Sequence, residues 1–100
     1  MMPPWVSIMP APVTLHSSEY NQFLEHLRAT RKASGLTQEQ VAQRLGKPQS
    51  YVSKTMNGER RMDLIEILAF CDAIEKPAVD FVAEFVAELV ADVERGKSGP

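Results

Sequence analysis

The sequence predicts an all-α domain of five helices. Two capping boxes, Thr37 with Gln40 and Asp63 with Glu66, pair an N-cap oxygen with a Gln or Glu three residues later and so mark helix starts. Apolar residues recur at helical spacing through the segments that glycine and proline separate. One hundred residues with 44% hydrophobic content are sufficient for one domain with a modest core.

The first helix is predicted from about Ser18 to Ala33. Ser17 or Ser18 caps it, and Gly35 marks its exit. Its buried side is formed by Phe23, Leu24 and Leu27.

Residues 36–58 are predicted to form two short helices joined by a tight turn. After the Thr37 cap, Val41 and Leu45 form the apolar stripe of the second helix. Gly46 ends this helix because the turn requires a positive φ there. Pro48 starts the third helix, at a position where its missing amide hydrogen costs nothing.

The third helix has one apolar and one polar side. Val52 and Met56 lie one turn apart and face inward, with Thr55 beside them. The opposite arc carries short or flexible polar side chains, namely Gln49, Ser50, Ser53, Lys54 and Asn57.

The fourth helix begins at the Asp63 capping box and ends before Pro77. We expect it to bury the apolar residues at helical spacing, which are Leu64, Ile67, Leu68, Cys71 and Ile74.

The fifth helix is longer than the fold needs and has an unusually wide apolar side. Residues 78–95 contain no glycine or proline and can extend about 27 Å at about 1.5 Å per residue. Beside a stripe of Phe81, Phe85 and Leu89 lies a valine row, and together they cover about half the circumference. The valine row consists of Val79, Val82, Val86, Val90 and Val93. We expect residues 77–95 to dimerise with the same helix of another subunit; the alternative is that the N-terminal arm covers these valines. The expected interface comprises Val79, Val82, Val86, Leu89, Val90 and Val93.

Charge is divided along the chain. The net charge is −2, which alone argues weakly against a nucleic-acid partner. Residues 28–61, however, hold eight basic against two acidic side chains, whereas residues 62–100 hold three basic against nine acidic ones. The polar arc of the third helix therefore belongs to the basic part of the chain, as binding to the phosphate backbone requires.

The side chains on that arc are suited to the edges of base pairs. Glutamine binds adenine N6 and N7, serine donates or accepts at several bases, and lysine reaches guanine or a phosphate. The ordinary alternative is that the exposed side of any surface helix is polar.

From about Leu27 to Phe81 the chain resembles the phage-repressor type of helix-turn-helix DNA-binding domain, the lambda repressor-like or Cro/XRE family. The resemblance rests on LTQEQVAQRLG followed by a serine-containing helix that ends in Asn57-Gly58. It implies a five-helix fold in which Gln38 contacts a phosphate and supports Gln49 while Gln49 binds a base. It also implies that the base-reading residues are Gln49, Ser50 and Lys54.

Other positions are expected to contact the DNA backbone or to support the residues that read bases. These are Gln38, Thr37, Lys47, Tyr51, Ser53, Asn57, Arg60 and Arg61. Members of the family commonly pair a glutamate just before the Asn-Gly with an arginine of the first helix, whereas this chain has Met56 and Arg31. Arg31 is therefore either bound elsewhere or free to contact phosphate.

The two ends of the chain lie outside the predicted domain, which spans residues 17–95. The N-terminal arm, residues 1–16, holds four prolines and no charged side chain, so it is not a basic arm that wraps DNA. It is too short and too interrupted by proline for a signal peptide or a membrane span. Either it is flexible or its apolar residues, Trp5 among them, pack on the protein. Residues 96–100 are a short tail.

No sequence pattern indicates catalysis, a metal site or a cofactor. Neither a nucleophile elbow nor a glycine-rich phosphate loop occurs, and we expect no enzyme. His16 and His26 lack companions at metal-ligand spacing, so each is expected to be an ordinary surface or helix-side histidine. The lone Cys71 cannot form an internal disulfide, which fits a reducing cytoplasm.

Three functions are compatible with these features. The first is a sequence-specific regulator in a bacterial or phage system, expected to be a repressor that binds a palindromic operator in double-stranded DNA as a homodimer. The second is an antitoxin that regulates its own operon and neutralises a toxin. The third is a protein-interaction module that has lost DNA binding, and the basic segment with Gln38, Gln49 and Asn57 argues against it.

Overall fold

The structure is a computed structural model, and it describes residues 18–94 apart from the side chain of Val93. The predictions for the N-terminal arm, for the Ser17 cap, for the tail and for Val93 in the dimer interface therefore lie outside the described residues.

Five helices make up this part of the chain. In order they are α1 (Ser18–Ser34), α2 (Gln38–Leu45), α3 (Gln49–Met56), α4 (Leu64–Ala73) and α5 (Ala78–Glu94). No strand occurs between residues 18 and 94. The predicted all-α class and the order of the helices are confirmed.

Both predicted capping boxes are formed. The Thr37 hydroxyl accepts a hydrogen bond from the Gln40 amide at 3.1 Å, and the Gln40 side-chain oxygen accepts one from the Thr37 amide at 2.9 Å. The Asp63 carboxylate likewise accepts from the Glu66 amide at 2.8 Å, and the Glu66 carboxylate accepts from the Asp63 amide at 2.9 Å. Each box supplies partners to amides that a helix start leaves without any, which fixes where α2 and α4 begin.

Left-handed residues close several helix ends. Gly46 ends α2 with φ 66°, as predicted, and the Lys47 amide donates to the Ala42 carbonyl at 3.0 Å. At the end of α4 the same closure uses Glu75, with φ 59°. A non-glycine residue in this conformation costs about 1 kcal/mol, and the ion pair from the Glu75 carboxylate to Arg44 at 2.9 Å offsets part of it.

The core is assembled from all five helices. Each helix contributes at least one fully buried apolar residue, and these include Leu27, Val41, Val52, Phe70 and Phe81 from α1 to α5 in order. Burying a side chain of this size stabilises the fold by about 1.5 to 3 kcal/mol. On α1, Phe23 contacts Phe81 and Phe85 edge to face, at centroid distances of 6.0 and 5.6 Å. These ring contacts attach α5 to α1.

His26 lies on the side of α1, one of the two positions expected for it, but it is buried and is not a surface residue. Its ring lies 4.6 Å from the Phe81 ring, and only 8% of the residue is exposed. Nε2 lies 3.1 Å from the Phe81 carbonyl and Nδ1 3.1 Å from a Glu88 carboxylate oxygen. Each ring nitrogen therefore lies beside an acceptor oxygen, and these contacts join α1 to α5.

The buried side of α4 differs from the prediction. Cys71 and Ile74 are buried as expected and Ile67 is half-buried, but Leu64 is 64% exposed and Leu68 is also exposed. Phe70 and Ala73 are buried in their place. The reason is that α4 is apolar on nearly every side, so spacing alone does not select which side packs inward.

The apolar side of α5 divides as predicted, with one exception. Phe81 is buried, whereas Val79 is 80% exposed and Val82 is also exposed. Val86 and Val90 are half-buried. Leu89, expected in the dimer interface, is buried within the single chain because it lies on the same side of α5 as Phe81 and Phe85.

Candidate nucleic-acid interface

Helices α2 and α3 form a tight pair joined by three residues. Gly46 reverses the chain direction, and Pro48 stands at the N-cap with an extended backbone, φ −65° and ψ 153°. The third helix therefore begins at Gln49, one residue later than predicted. Val41 and Val52 are fully buried, which holds α3 against α2.

The outer side of α3 carries the predicted base-reading residues. Gln49, Ser50 and Lys54 are exposed, Asn57 at the helix end is exposed, and Ser53 is half-buried. At about 100° per residue these five positions fall within an arc of about 140°. The arc is contiguous, so the concave surface of a DNA groove can meet all five side chains at once.

The inner side of α3 is closely packed. Val52, Thr55 and Met56 are fully buried, as the sequence predicted. The Thr55 hydroxyl donates to the Tyr51 carbonyl at 2.7 Å, which satisfies a polar group that burial would otherwise destabilise.

Two arginines of α1 bind backbone carbonyls. Arg28 donates to the Met56 carbonyl at 2.5 Å and thereby holds the C-terminus of α3. Arg31 donates to the Leu36 carbonyl at 2.5 Å, which resolves the alternatives left open for it: it is bound within the protein. The end of α3 is thus attached to α1 although Met56 cannot form an ion pair.

A polar cluster links α3 to α4. The Tyr51 hydroxyl donates to a Glu66 carboxylate oxygen at 3.0 Å, and Arg60 donates to the same oxygen at 2.6 Å. The Arg60 guanidinium also lies over the Tyr51 ring, 4.7 Å from its centroid, and donates to the Thr55 hydroxyl at 3.3 Å. The cluster fixes the loop between the two helices against the inner edge of α3.

The electrostatics of this cluster are mutually reinforcing. The hydrogen bond from Arg60 holds the pKa of Glu66 below its ordinary value, and that same bond raises the pKa of Arg60. Burial, followed by the hydrogen bond to Glu66, raises the pKa of the Tyr51 hydroxyl. Tyr51 is therefore neutral and Glu66 charged near pH 7.

The remaining predicted backbone residues are distributed around the pair. Lys47 is exposed in the turn, with its ammonium 5.3 Å from the Tyr51 ring centroid. Arg61 is exposed and lies over the ring of Tyr20, 4.8 Å from its centroid. Thr37 uses its hydroxyl in the α2 cap. Gln38 is half-buried at the start of α2 and shares no hydrogen bond with Gln49 within residues 18–94, so their joint action stays a prediction.

Fewer of the basic side chains in residues 28–61 are unpaired in the folded protein than the sequence suggests. Glu75 pairs with Arg44, and Glu66 pairs with Arg60. Two carboxylates of the acidic segment thus reach back to the basic one. The cationic side chains exposed near α3 are those of Lys47, Lys54 and Arg61.

Sequence reasoning missed the role of Glu66 beyond the cap and the engagement of Arg60 and Tyr51 within the protein. Glu66 was visible only as a capping residue, and nothing in the spacing of residues 51, 60 and 66 indicates that they meet. The one available signal was Thr55, a polar residue at a position that faces the core.

Two of three comparisons with known proteins found a match. A family model described as a helix-turn-helix domain matches residues 22–81, more than half of the chain. A solved structure of an XRE-family like protein from Pseudomonas syringae pv. tomato str. DC3000 is 42% identical, with a TM-score of 0.69. That match covers 73% of this chain and 89% of the other. No curated protein matches.

The part of the chain that the structure describes contains no helix both long enough and apolar enough to cross a membrane.

Proposed function

The chain belongs to the XRE family of helix-turn-helix DNA-binding transcription regulators, and from that premise we propose that it represses transcription by binding a palindromic operator as a homodimer. The main support for this proposal is that α3 is closely packed on its inner side and presents a contiguous polar arc on its outer side.

Within this proposal, α3 is the recognition helix and enters the major groove. Gln49 binds adenine N6 and N7, while Ser50 and Lys54 contact neighbouring bases. Gln38 supports Gln49 and contacts a phosphate. The buried inner side of α3 supports these roles, because a helix whose rotation is fixed presents the same side chains to every duplex.

Phosphate contacts set the register of the domain on the duplex. Lys47, Arg61, Ser53 and Asn57 are the proposed contributors. Tyr51 and Arg60, which the sequence also placed near the backbone, serve mainly to position the recognition helix, since Glu66 engages both.

The homodimer is proposed to form through α4 and α5 together. The large exposed apolar side chains of residues 18–94 all lie on these two helices: Leu64, Ile65, Leu68, Val79 and Val82. Phe70 and Ile65 of α4 line a depression with Leu45 and Tyr51, so Ile65 lies at the edge that adjoins α2 and α3, while α5 faces His26 of α1. Within the proposal, Leu68 and Val82 flank the α4–α5 seam.

The two-fold symmetry of the proposed dimer explains how it would read a palindrome. Two α3 helices related by that axis meet successive major grooves about 34 Å apart and read the two halves of a palindrome. A single domain of this size would discriminate poorly between sequences.

Selection of genomic fragments by the purified protein, followed by sequencing, tests this function. We expect enrichment of a short inverted repeat, and we expect a reporter gene placed behind that site to be expressed less when the protein is present. Enrichment of unrelated sequences would contradict sequence-specific binding, and increased reporter expression would contradict repression.

A further inference from the structure

An apolar depression of about 220 Å³ lies between α1, the start of α4 and α5. Its floor and walls are formed by Tyr20, Phe23, Met62, Ile67 and Phe85, with Glu19 and Arg61 completing the lining. It shares Arg61 with the proposed phosphate contacts but includes no residue of the polar arc of α3, so base reading does not account for its apolar lining.

The N-terminal arm joins the domain at this depression. The first helical residue is Ser18, and Glu19 and Tyr20 directly after it line the depression. An extended chain spans about 3.3 Å per residue, so Leu15 and Val13 lie within about 10 and about 17 Å of Ser18. Both are therefore near, along the chain, to a depression whose lining begins at Glu19.

The composition of the arm matches this apolar lining. Residues 1–16 include no Asp, Glu, Lys or Arg, so the arm can enter without burying a charge. In an extended segment Val13 and Leu15 point to one side and Thr14 to the other. Pro10 and Pro12 favour an extended backbone in the residues that precede them.

Glu19 offers a polar contact beside the apolar ones. Its Oε1 atom is buried and has no hydrogen-bond partner among residues 18–94. Such an atom destabilises the fold unless a donor reaches it. A backbone amide of the arm can supply that donor, since the arm ends three residues before Glu19.

We propose that the N-terminal arm docks on its own domain, with Leu15 and Val13 filling the depression formed by Tyr20, Phe23, Met62, Ile67 and Phe85. The docked arm joins α1 to α4 and α5. The valine row lies about 60 to 140° further around α5 from Phe85, so it stays available to a second subunit. The proposal does not depend on DNA binding.

Nuclear Overhauser contacts in the full-length protein test the docking directly. We expect cross-peaks between the methyl groups of Leu15 and the rings of Phe23 and Phe85. Cross-peaks from Leu15 to Val79 or Val82 would overturn the proposal, because the arm would then cover the valine row. An absence of contacts from Leu15 to the domain would also overturn it.

A sample of mixed isotope-labelled and unlabelled chains separates the two possible sources of the contact. Contacts that persist only within one chain support the proposal. Contacts that arise between labelled and unlabelled chains would overturn it, since the arm would then dock on the partner.

Arm variants provide an independent test, because they leave the folded core unchanged. Replacing Val13 and Leu15 together by serine is expected to lower Tm by roughly 4 to 8 °C, the shift that corresponds to about 1 kcal/mol in a domain of this size. The control Thr14→Ser lies on the opposite side of the segment and is expected to leave Tm unchanged. Equal Tm values for the double variant and the control would overturn the proposal.

Discussion

Glu66 performs two tasks with its two carboxylate oxygens. One oxygen accepts from the Asp63 amide at the start of α4, and the other accepts from Tyr51 and Arg60. The residue that fixes the start of α4 therefore also holds the loop and α3 in place.

Glu66→Gln tests this double role. We expect the free energy of unfolding at pH 7 to fall by about 1 to 2 kcal/mol, because charge-assisted hydrogen bonds to Arg60 become neutral ones. Glu59→Gln, at an exposed position of the same loop, is the control and is expected to have little effect. Urea unfolding measures both, and equal losses would place the stabilisation outside the cluster.

The same substitution has a defined pH dependence. The pKa of Glu66 is lowered in the folded state, so its contribution is present above the ordinary value of 4.5 and is lost as pH falls through the folded value. The difference in unfolding free energy between wild type and Glu66→Gln should therefore be greatest near pH 7 and decrease below pH 4.5. A difference that grows on acidification would contradict this assignment.

Gly58 is required for two separate reasons. Its φ is +78°, and a Cβ built there lies 2.9 Å from Leu24 Cδ1. Gly35 has a similar φ of +81° but open space around it. Gly35→Ala should therefore destabilise the protein by about 1 kcal/mol, from the backbone alone, and Gly58→Ala by about 2 kcal/mol or more. Thermal unfolding of both variants would show no difference if the contact with Leu24 were readily relieved.

At the level of the helices, the sequence predicted those features that depend only on neighbouring residues. The ends of α2 and the start of α4 were predicted because a capping box or a left-handed glycine involves only neighbouring residues. The inner side of α4 was predicted only in part, since Leu64, Ile65 and Leu68 are as apolar as the residues it buries. Packing against α2, α3 and α5 decides which of these apolar residues are buried, and the sequence of α4 alone does not reveal that packing.

In the loop between α3 and α4, the sequence likewise could not distinguish the roles of two adjacent arginines. Arg60 and Arg61 are identical neighbours in the sequence, but Arg60 pairs with Glu66 while Arg61 is exposed over Tyr20. We infer from this that Arg61 contributes to phosphate binding and Arg60 mainly to the position of α3.

Salt dependence distinguishes these two roles. Arg61→Ala should weaken binding to all sequences and reduce the slope of log K against log salt by about 0.9. Arg60→Ala should lower the unfolding free energy and change the slope less. A reduction of the slope by Arg60→Ala, without loss of stability, would assign the phosphate contact to Arg60.

At the level of the whole molecule, the separation of charge along the chain is partly reversed by folding. Glu66 and Glu75 pair with Arg60 and Arg44, so the electrostatic attraction to DNA depends on the exposed cations near α3. The sequence predicts which surface faces DNA, but it could not show which charges are already paired.

The proposed dimer is tested most cleanly at Val79, which is 80% exposed and contributes little to the core of one chain. Val79→Asp should yield monomers in sedimentation equilibrium while the circular dichroism stays that of wild type. Ala87→Asp, an exposed position on another side of α5, is the control and should stay dimeric. A Val79→Asp dimer would place the interface away from the valine row.

Gln49→Ala tests whether α3 reads bases. Affinities for the selected operator and for a random duplex are measured at one salt concentration, with Gln43→Ala, exposed on α2, as the control. We predict that Gln49→Ala weakens operator binding by about 1 to 3 kcal/mol, relaxes the preference at one base pair and leaves random binding nearly unchanged. An equal loss of affinity for both duplexes would contradict base reading by Gln49.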